Sequence, residues 1–121
     1  MLDRDLGTAT TERLGPALWV LHLAGEHDLR TAPDVSRALK QIEQSGTTVV
    51  VDLTDASFVD STVVGALVKQ HERGENVLLV APRQSAIRRS LDLLGITTRF
   101  ESFETREDAL EAVPPDDQRS S

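Results

Sequence analysis

The chain has no cysteine, which excludes disulfides, thiolate catalysis and sulfur-ligated metal sites and leaves only histidine and carboxylate chemistry. It also lacks any apolar run close to the roughly 18 residues that a membrane span requires, so no crossing of a bilayer is expected. Positive charge is scarce. The 13 Lys and Arg residues against 20 Asp and Glu leave a net charge of −7, which would repel a phosphate backbone and argues against a nucleic-acid partner. The histidines His22, His27 and His71 fall in neither H-x-x-x-H nor H-E-x-x-H spacing, so there is no zinc signature. No G-x-x-x-x-G-K loop follows the first strand and no G-x-S-x-G elbow surrounds a serine. Nucleotide binding and hydrolase chemistry therefore have no motif behind them, and no cofactor is expected.

What is present fits one α/β domain. A length of 121 residues suits a single core, and 39% apolar with 27% charged residues are globular proportions. The opening MLDRDLGTATTE is small and polar, carries Asp3, Arg4, Asp5 and Glu12, and reads as no secretory signal, so a cytoplasmic location is expected. Residues 1–12 and the proline-led tail 114–121 are expected to be flexible, with the folded domain over 13–113.

Arg13–Leu14 and Ala17–Ala24 read as two strands around a Gly15-Pro16 turn, and Gly25-Glu26-His27-Asp28 breaks the second. Thr31 with Asp34 predicts a capping box for a helix that has Pro33 in its first turn. Val35, Ala38, Leu39 and Ile42 follow at helical spacing, and Gly46 stands at a left-handed terminus. Thr47–Leu53 is apolar enough for a strand covered on both faces. DASFVD is read as a loop. Ser61–Arg73 follows as a helix with Val64, Leu67, Val68 and His71 on one stripe, ended by Gly74. Asn76–Ala81 repeats the buried-strand pattern, Gln84–Leu94 turns Ile87, Leu91 and Leu94 to one face, and Phe100–Phe103 is a short edge strand. Thr105 and Asp108 make a second capping box before Ala109, Leu110 and Val113. The predicted order is ββαβαβαβα, a mixed sheet whose parallel part is built from crossover units. Functional groups are then expected in the turns after Ala24, Leu53 and Ala81.

Two of these segments resemble a known family. Gly25-Glu26-His27-Asp28 is similar to the G-E-x-D turn of STAS domains, and VVVDLTDASFVDST is similar to their hydrophobic strand leading into a D-S-S/T helix start. The resemblance runs from Leu14 to Val113 and takes in SAIRRSLDLLGI and the closing TREDALEAV helix. It implies an anti-sigma factor antagonist: a non-enzymatic bacterial protein that binds an anti-sigma factor, often itself a serine/threonine kinase. Phosphorylation of a hydroxyl at the helix start then abolishes binding. The position matching the acceptor is Thr62, with Ser61 second, and the implied partner-binding set is Asp28, Asp60, Ser61, Thr62, Val63 and Val64. The chain departs from the family pattern at Val63-Val64, where Gly-Leu or a similar pair is usual; Val63 is bulkier and stiffer than glycine. Two other readings stay open: an accessory subunit of an ABC transport complex, docked constitutively by the same helix, and a small-ligand sensor.

A helix start offers unpaired N–H groups and partial positive charge, so a phosphoryl group is stabilised there without catalytic machinery. Ser61 or Thr62 can equally cap the helix, and capping and acceptor roles can coexist on adjacent hydroxyls. Asp60 is a second capping candidate and Asp28 a turn former. Arg83, Arg88 and Arg89 read as a solvated helix face, and Trp19 as core or a single exposed aromatic.

Overall fold

β-Branched and aliphatic runs build the sheet. In the computed structural model, which describes residues 6–42 and 46–113, β1 (Thr8–Gly15) and β2 (Leu18–His27) form an antiparallel hairpin through the Gly15-Pro16 turn. There follow α1 (Ala32–Ile42), β3 (Thr48–Asp52), β4 (Ala56–Val59), α2 (Ser61–Glu72), β5 (Asn76–Val80) and α3 (Ala86–Leu93). A single 3₁₀ turn (Ile96–Thr98), β6 (Glu101–Phe103) and α4 (Arg106–Glu111) complete the chain. The sheet order is β1-β2-β3-β5-β6, with β4 beside the end of β2, and every pairing after the hairpin is parallel. The expected order ββαβαβαβα stands, with one extra short strand before α2.

Three local expectations change. Residues 8–12, expected to be flexible, are strand: Thr8 to Arg13 pair with Ala24 to Trp19, because β-branched threonines suit a half-exposed edge strand however polar they are. Residues 1–5 and 114–121 lie outside the described residues. Second, β2 does not break at Gly25 but bulges there. Gly25 takes φ 81°, the register shifts, and the strand changes partner from β3 to β4. The segment read as a loop thus contributes β4, four residues too short to show a pattern, with Ala56 and Val59 inward.

Third, the buried stripe of α2 is Val63, Leu67 and Gln70; Val64 and Val68 flank it and His71 is exposed. A polar residue can occupy that face because Gln70 Nε2 donates to the Leu39 carbonyl (3.3 Å) and to Glu75. The caps divide. Thr105 Oγ1 accepts from the Asp108 N–H (3.1 Å) as expected, and Ser85 caps α3 through the Arg88 N–H (3.1 Å). Thr31 instead turns back, accepting from the Asp28 N–H (3.2 Å), while Asp34 pairs with Arg37 (2.9 Å).

The two sheet faces are unequal. One carries Leu21, Leu23, Val49, Val51, Val77 and Leu79 under α1, α2 and α3; the other carries Val20, Val50, Leu78 and Val80 under the short α4 alone. A polar anchor supplements that smaller face. The Asp52 carboxylate accepts from the Thr54 N–H (3.0 Å) and hydroxyl (2.6 Å) and from Arg106 Nε (3.0 Å) and Nη2 (2.9 Å). Burial works against its ionised form, but Thr54 and Arg106 outweigh that and hold the carboxyl below its ordinary range.

Candidate functional site

The path β3–β4–α2 delivers Asp60-Ser61-Thr62 to the end of the sheet where β2 and β4 meet. Asp60 takes extended backbone (φ −96°, ψ 178°), and its Oδ1 accepts from the Thr62 N–H (3.0 Å) and the Val63 N–H (3.2 Å). This resolves the capping question: Asp60, and neither hydroxyl residue, caps α2. Ser61 and Thr62 are both exposed, and among the described residues neither hydroxyl has a hydrogen-bond partner.

The other motif is held edge to edge with this turn. The Asp60 N–H donates to the His27 carbonyl (3.0 Å), and the Gly25 N–H to the Asp55 carbonyl (3.0 Å). His27 is fully buried; Nε2 lies 3.1 Å from the carbonyls of both Thr8 and Ala24, and Nδ1 lies 3.0 Å from Thr31 Oγ1. Asp28 sits at the surface, gripped by Arg30 through Nε (3.1 Å), Nη2 (3.0 Å) and its backbone N–H (2.9 Å). Those Arg30 hydrogen bonds hold the Asp28 carboxyl below its usual range, so the tip carries a fixed Asp28–Arg30 ion pair.

Of the residues expected at a partner surface, Asp28, Asp60, Ser61 and Thr62 therefore gather at one tip, and Val64 is half-buried beside them. Val63 is different: it is wholly buried and packs into the core, so its side chain is not offered to a partner. The substitution of valine for glycine thus falls inward and leaves the exposed tip unchanged.

Sequence reasoning missed an apolar shoulder. Phe58 (44% exposed), Leu93 (89%) and Leu94 (43%) flank Asp60 and Ser61. The loop reading hid Phe58, and helical spacing turned Leu94 inward; the available signal was a pair of leucines just before the helix-ending Gly95. A groove of about 350 Å³ also runs between α1 and α2, with Thr62 among its lining residues. Elsewhere, Arg88 is tied to the Ala81 carbonyl (2.9 Å) and Arg89 to that of Gln84 (3.3 Å), so the expected solvated arginine face is partly fastened down. Trp19 is half-buried beneath the Arg13 guanidinium, and His22 pairs with Asp55 (2.8 Å). Among the described residues no cluster of side chains suits a metal ion, and no helix is long and apolar enough to cross a membrane.

Comparison with known proteins identifies the family and the fold. The model of the STAS domain family matches residues 8–109. The anti-sigma-F factor antagonist RsfB of Mycobacterium tuberculosis is 34% identical over 97 residues, which cover 78% of this chain and 80% of that protein. The crystal structure of an anti-sigma factor antagonist from Mycobacterium paratuberculosis superposes with a TM-score of 0.76 at 28% identity, covering 91% of this chain and 96% of that one. The phosphorylated form of the Bacillus cell fate determinant SpoIIAA shares the fold, with a TM-score of 0.58 at 22% identity over 88% of this chain and 100% of that one.

Proposed function

This chain belongs to the STAS domain family, and on that premise we propose that it is a non-enzymatic cytoplasmic anti-sigma factor antagonist, switched by phosphorylation of Thr62. The observation that carries this reading is the division of labour at the start of α2. Asp60 does the capping, so the Thr62 hydroxyl is exposed and holds nothing in the fold together.

A phosphate on Thr62 adds about −1.5 to −2 charges where the helix dipole favours an anion, by about 0.3–1 kcal/mol at an exposed site. The fold of the antagonist is therefore kept while the docking surface changes. The added charge joins Asp28 and Asp60 at the tip, and a partner seated there must desolvate it or meet it with its own groups. About 2.8 kcal/mol of lost complementarity is a hundredfold in affinity. The exposed Phe58, Leu93 and Leu94 support the same reading, since an apolar shoulder beside a polar tip resembles the centre of an interface and its rim.

The test uses the anti-sigma-F factor of Mycobacterium tuberculosis, the kind of protein for which the 34% identical relative is named. Incubation with ATP and this factor, or with a kinase from the chain's own genome, should place one phosphate on Thr62, read by mass spectrometry. Thr62→Glu should weaken binding about a hundredfold, with the thermal midpoint level or raised by up to about 4 °C. Tight binding with no phosphate on Thr62 or Ser61 would point instead to constitutive docking. A loss of stability matching the loss of binding would remove the interface account.

A further inference from the structure

His27 ends β2 with its imidazole fully buried. A polar ring at such a place costs stability unless its nitrogens are paired. Both are paired. Nε2 lies against the carbonyls of Thr8 on β1 and Ala24 on β2 (3.1 Å each), and Nδ1 lies against the hydroxyl of Thr31, one residue before α1 (3.0 Å). A carbonyl can only accept, so Nε2 carries a proton and Nδ1 of the uncharged ring accepts from Thr31 Oγ1. The ring thereby joins β1, β2 and the start of α1.

The same residue stands between the two halves of the tip. Its carbonyl accepts from the N–H of Asp60, the residue that caps α2 (3.0 Å), and Asp28 follows it directly in the chain. Thr31 Oγ1, the partner of the ring, also accepts from the Asp28 N–H (3.2 Å). The ladder does little to fix this place. A bulge disrupts strand pairing, and beyond the one at Gly25 the register of β2 with β4 runs only over Glu26 with Phe58 and His27 with Val59. Hydrogen bonds from the buried ring supply what so short a ladder lacks. Packing holds the ring as well: the Gly7 N–H donates to the Glu26 carbonyl (2.8 Å), and a Cβ on Gly7 would collide with Nε2.

We propose that His27 is a positioning residue of the docking tip: its imidazole sets where the Asp28 turn stands relative to Asp60, Ser61 and Thr62. A partner then meets two turns already in place, and association does not bear the cost of ordering them. The proposal rests on the antagonist reading for what docks, whereas the joint itself is independent of it. It also makes the end of β1, through Gly7 and Thr8, a support of the tip.

The test uses the full chain. His27→Leu fills the space of the ring without its hydrogen bonds, and His27→Gln returns an amide that can donate to the carbonyls. Leu110→Ala, on the α4 side of the sheet, is a control destabilised away from the tip. Each is titrated with the same anti-sigma factor well below its thermal midpoint, so that all are folded. His27→Leu should bind at least about tenfold more weakly, His27→Gln within about threefold of wild type, and Leu110→Ala at wild-type strength. Wild-type binding by His27→Leu, with only its midpoint lowered, overturns the proposal and leaves the antagonist reading in place. Equal weakening in Leu110→Ala overturns it too, since the effect would be one of stability, as does His27→Gln binding no better than His27→Leu. Where His27→Leu does not fold, Thr31→Val removes the partner of Nδ1 under a similar branched shape and should bind at least about threefold more weakly; wild-type strength there overturns the proposal. Amide spectra of isotope-labelled chain without a partner read the joint directly. His27→Leu should move the signals of Asp28, Asp60, Ser61 and Thr62 together and leave those of Val50 and Leu78 in place, and unmoved tip signals overturn the proposal. Should wild type fail to bind the anti-sigma factor while the tip signals move, the antagonist reading falls and the positioning role stands.

Discussion

Replacing Asp60 probes the arrangement on which the proposed switch depends. Asp60→Ala removes the acceptor that satisfies the Thr62 and Val63 N–H groups. Loss of a helix cap of this kind costs about 1 kcal/mol, and loss of a negative charge at a helix start costs about 0.3–1 kcal/mol more. The Val63 N–H is partly buried, so water restores little of the difference. About 1.5 kcal/mol follows, equivalent to a fall of roughly 6 °C in midpoint for a domain of this size. Asp60→Asn keeps an acceptor and loses only the charge, so it should cost about 0.5 kcal/mol. Urea and thermal unfolding of the three proteins, with unchanged urea slope as the check on two-state behaviour, measure the series. If Asp60→Ala lies within about 0.3 kcal/mol of wild type, a neighbouring hydroxyl has taken over the cap at no cost. Ser61 or Thr62 would then serve the fold after all, and the separation of capping from switching would be wrong.

Two further perturbations address the rest of the molecule. Asp52 has a folded pKa below its ordinary 3.8, so the stability it supplies is present above about pH 4 and is lost as pH falls through the lowered value. Arg106→Met should remove about 2 kcal/mol at neutral pH and flatten that acid limb, a cost between an exposed and a fully buried pair because Arg106 is one-third exposed; an unchanged acid profile would show that Arg106 does not set it. Gly7→Ala should destabilise by about 1–3 kcal/mol, since its Cβ would collide with the His27 ring and the Glu26 carbonyl. A midpoint equal to wild type would mean that the amino-terminal strand end is loosely seated.

The fold was legible in the sequence where burial and period agreed. TTVVVDL and NVLLVA became buried strands because both faces of a central strand are covered, and Gly74 and Gly95 took positive φ at their helix ends, as Gly46 did ahead of β3. It was least legible where pairing depends on distant partners. β4 is fixed by the end of β2 and not by its own four residues, and residues 8–12 are strand only because the hairpin provides a complement. At the site, the motif located the turn, but spacing alone could not say which of three adjacent polar residues caps it or that Val63 points inward. Capping depends on the backbone geometry at Asp60, and the phase of α2 on Gln70 finding buried partners.

The unequal packing on the two sides of the sheet sets an order of disassembly. Partial opening should begin at α4 and β6, where few apolar side chains interlock, and reach the three-helix side last. Amide exchange would then be faster at Ala109 and Leu110 than at Leu67, and the reverse ranking would refute this. A protein built in this way can loosen one face of its sheet while the proposed docking tip, held from the other face, keeps its shape.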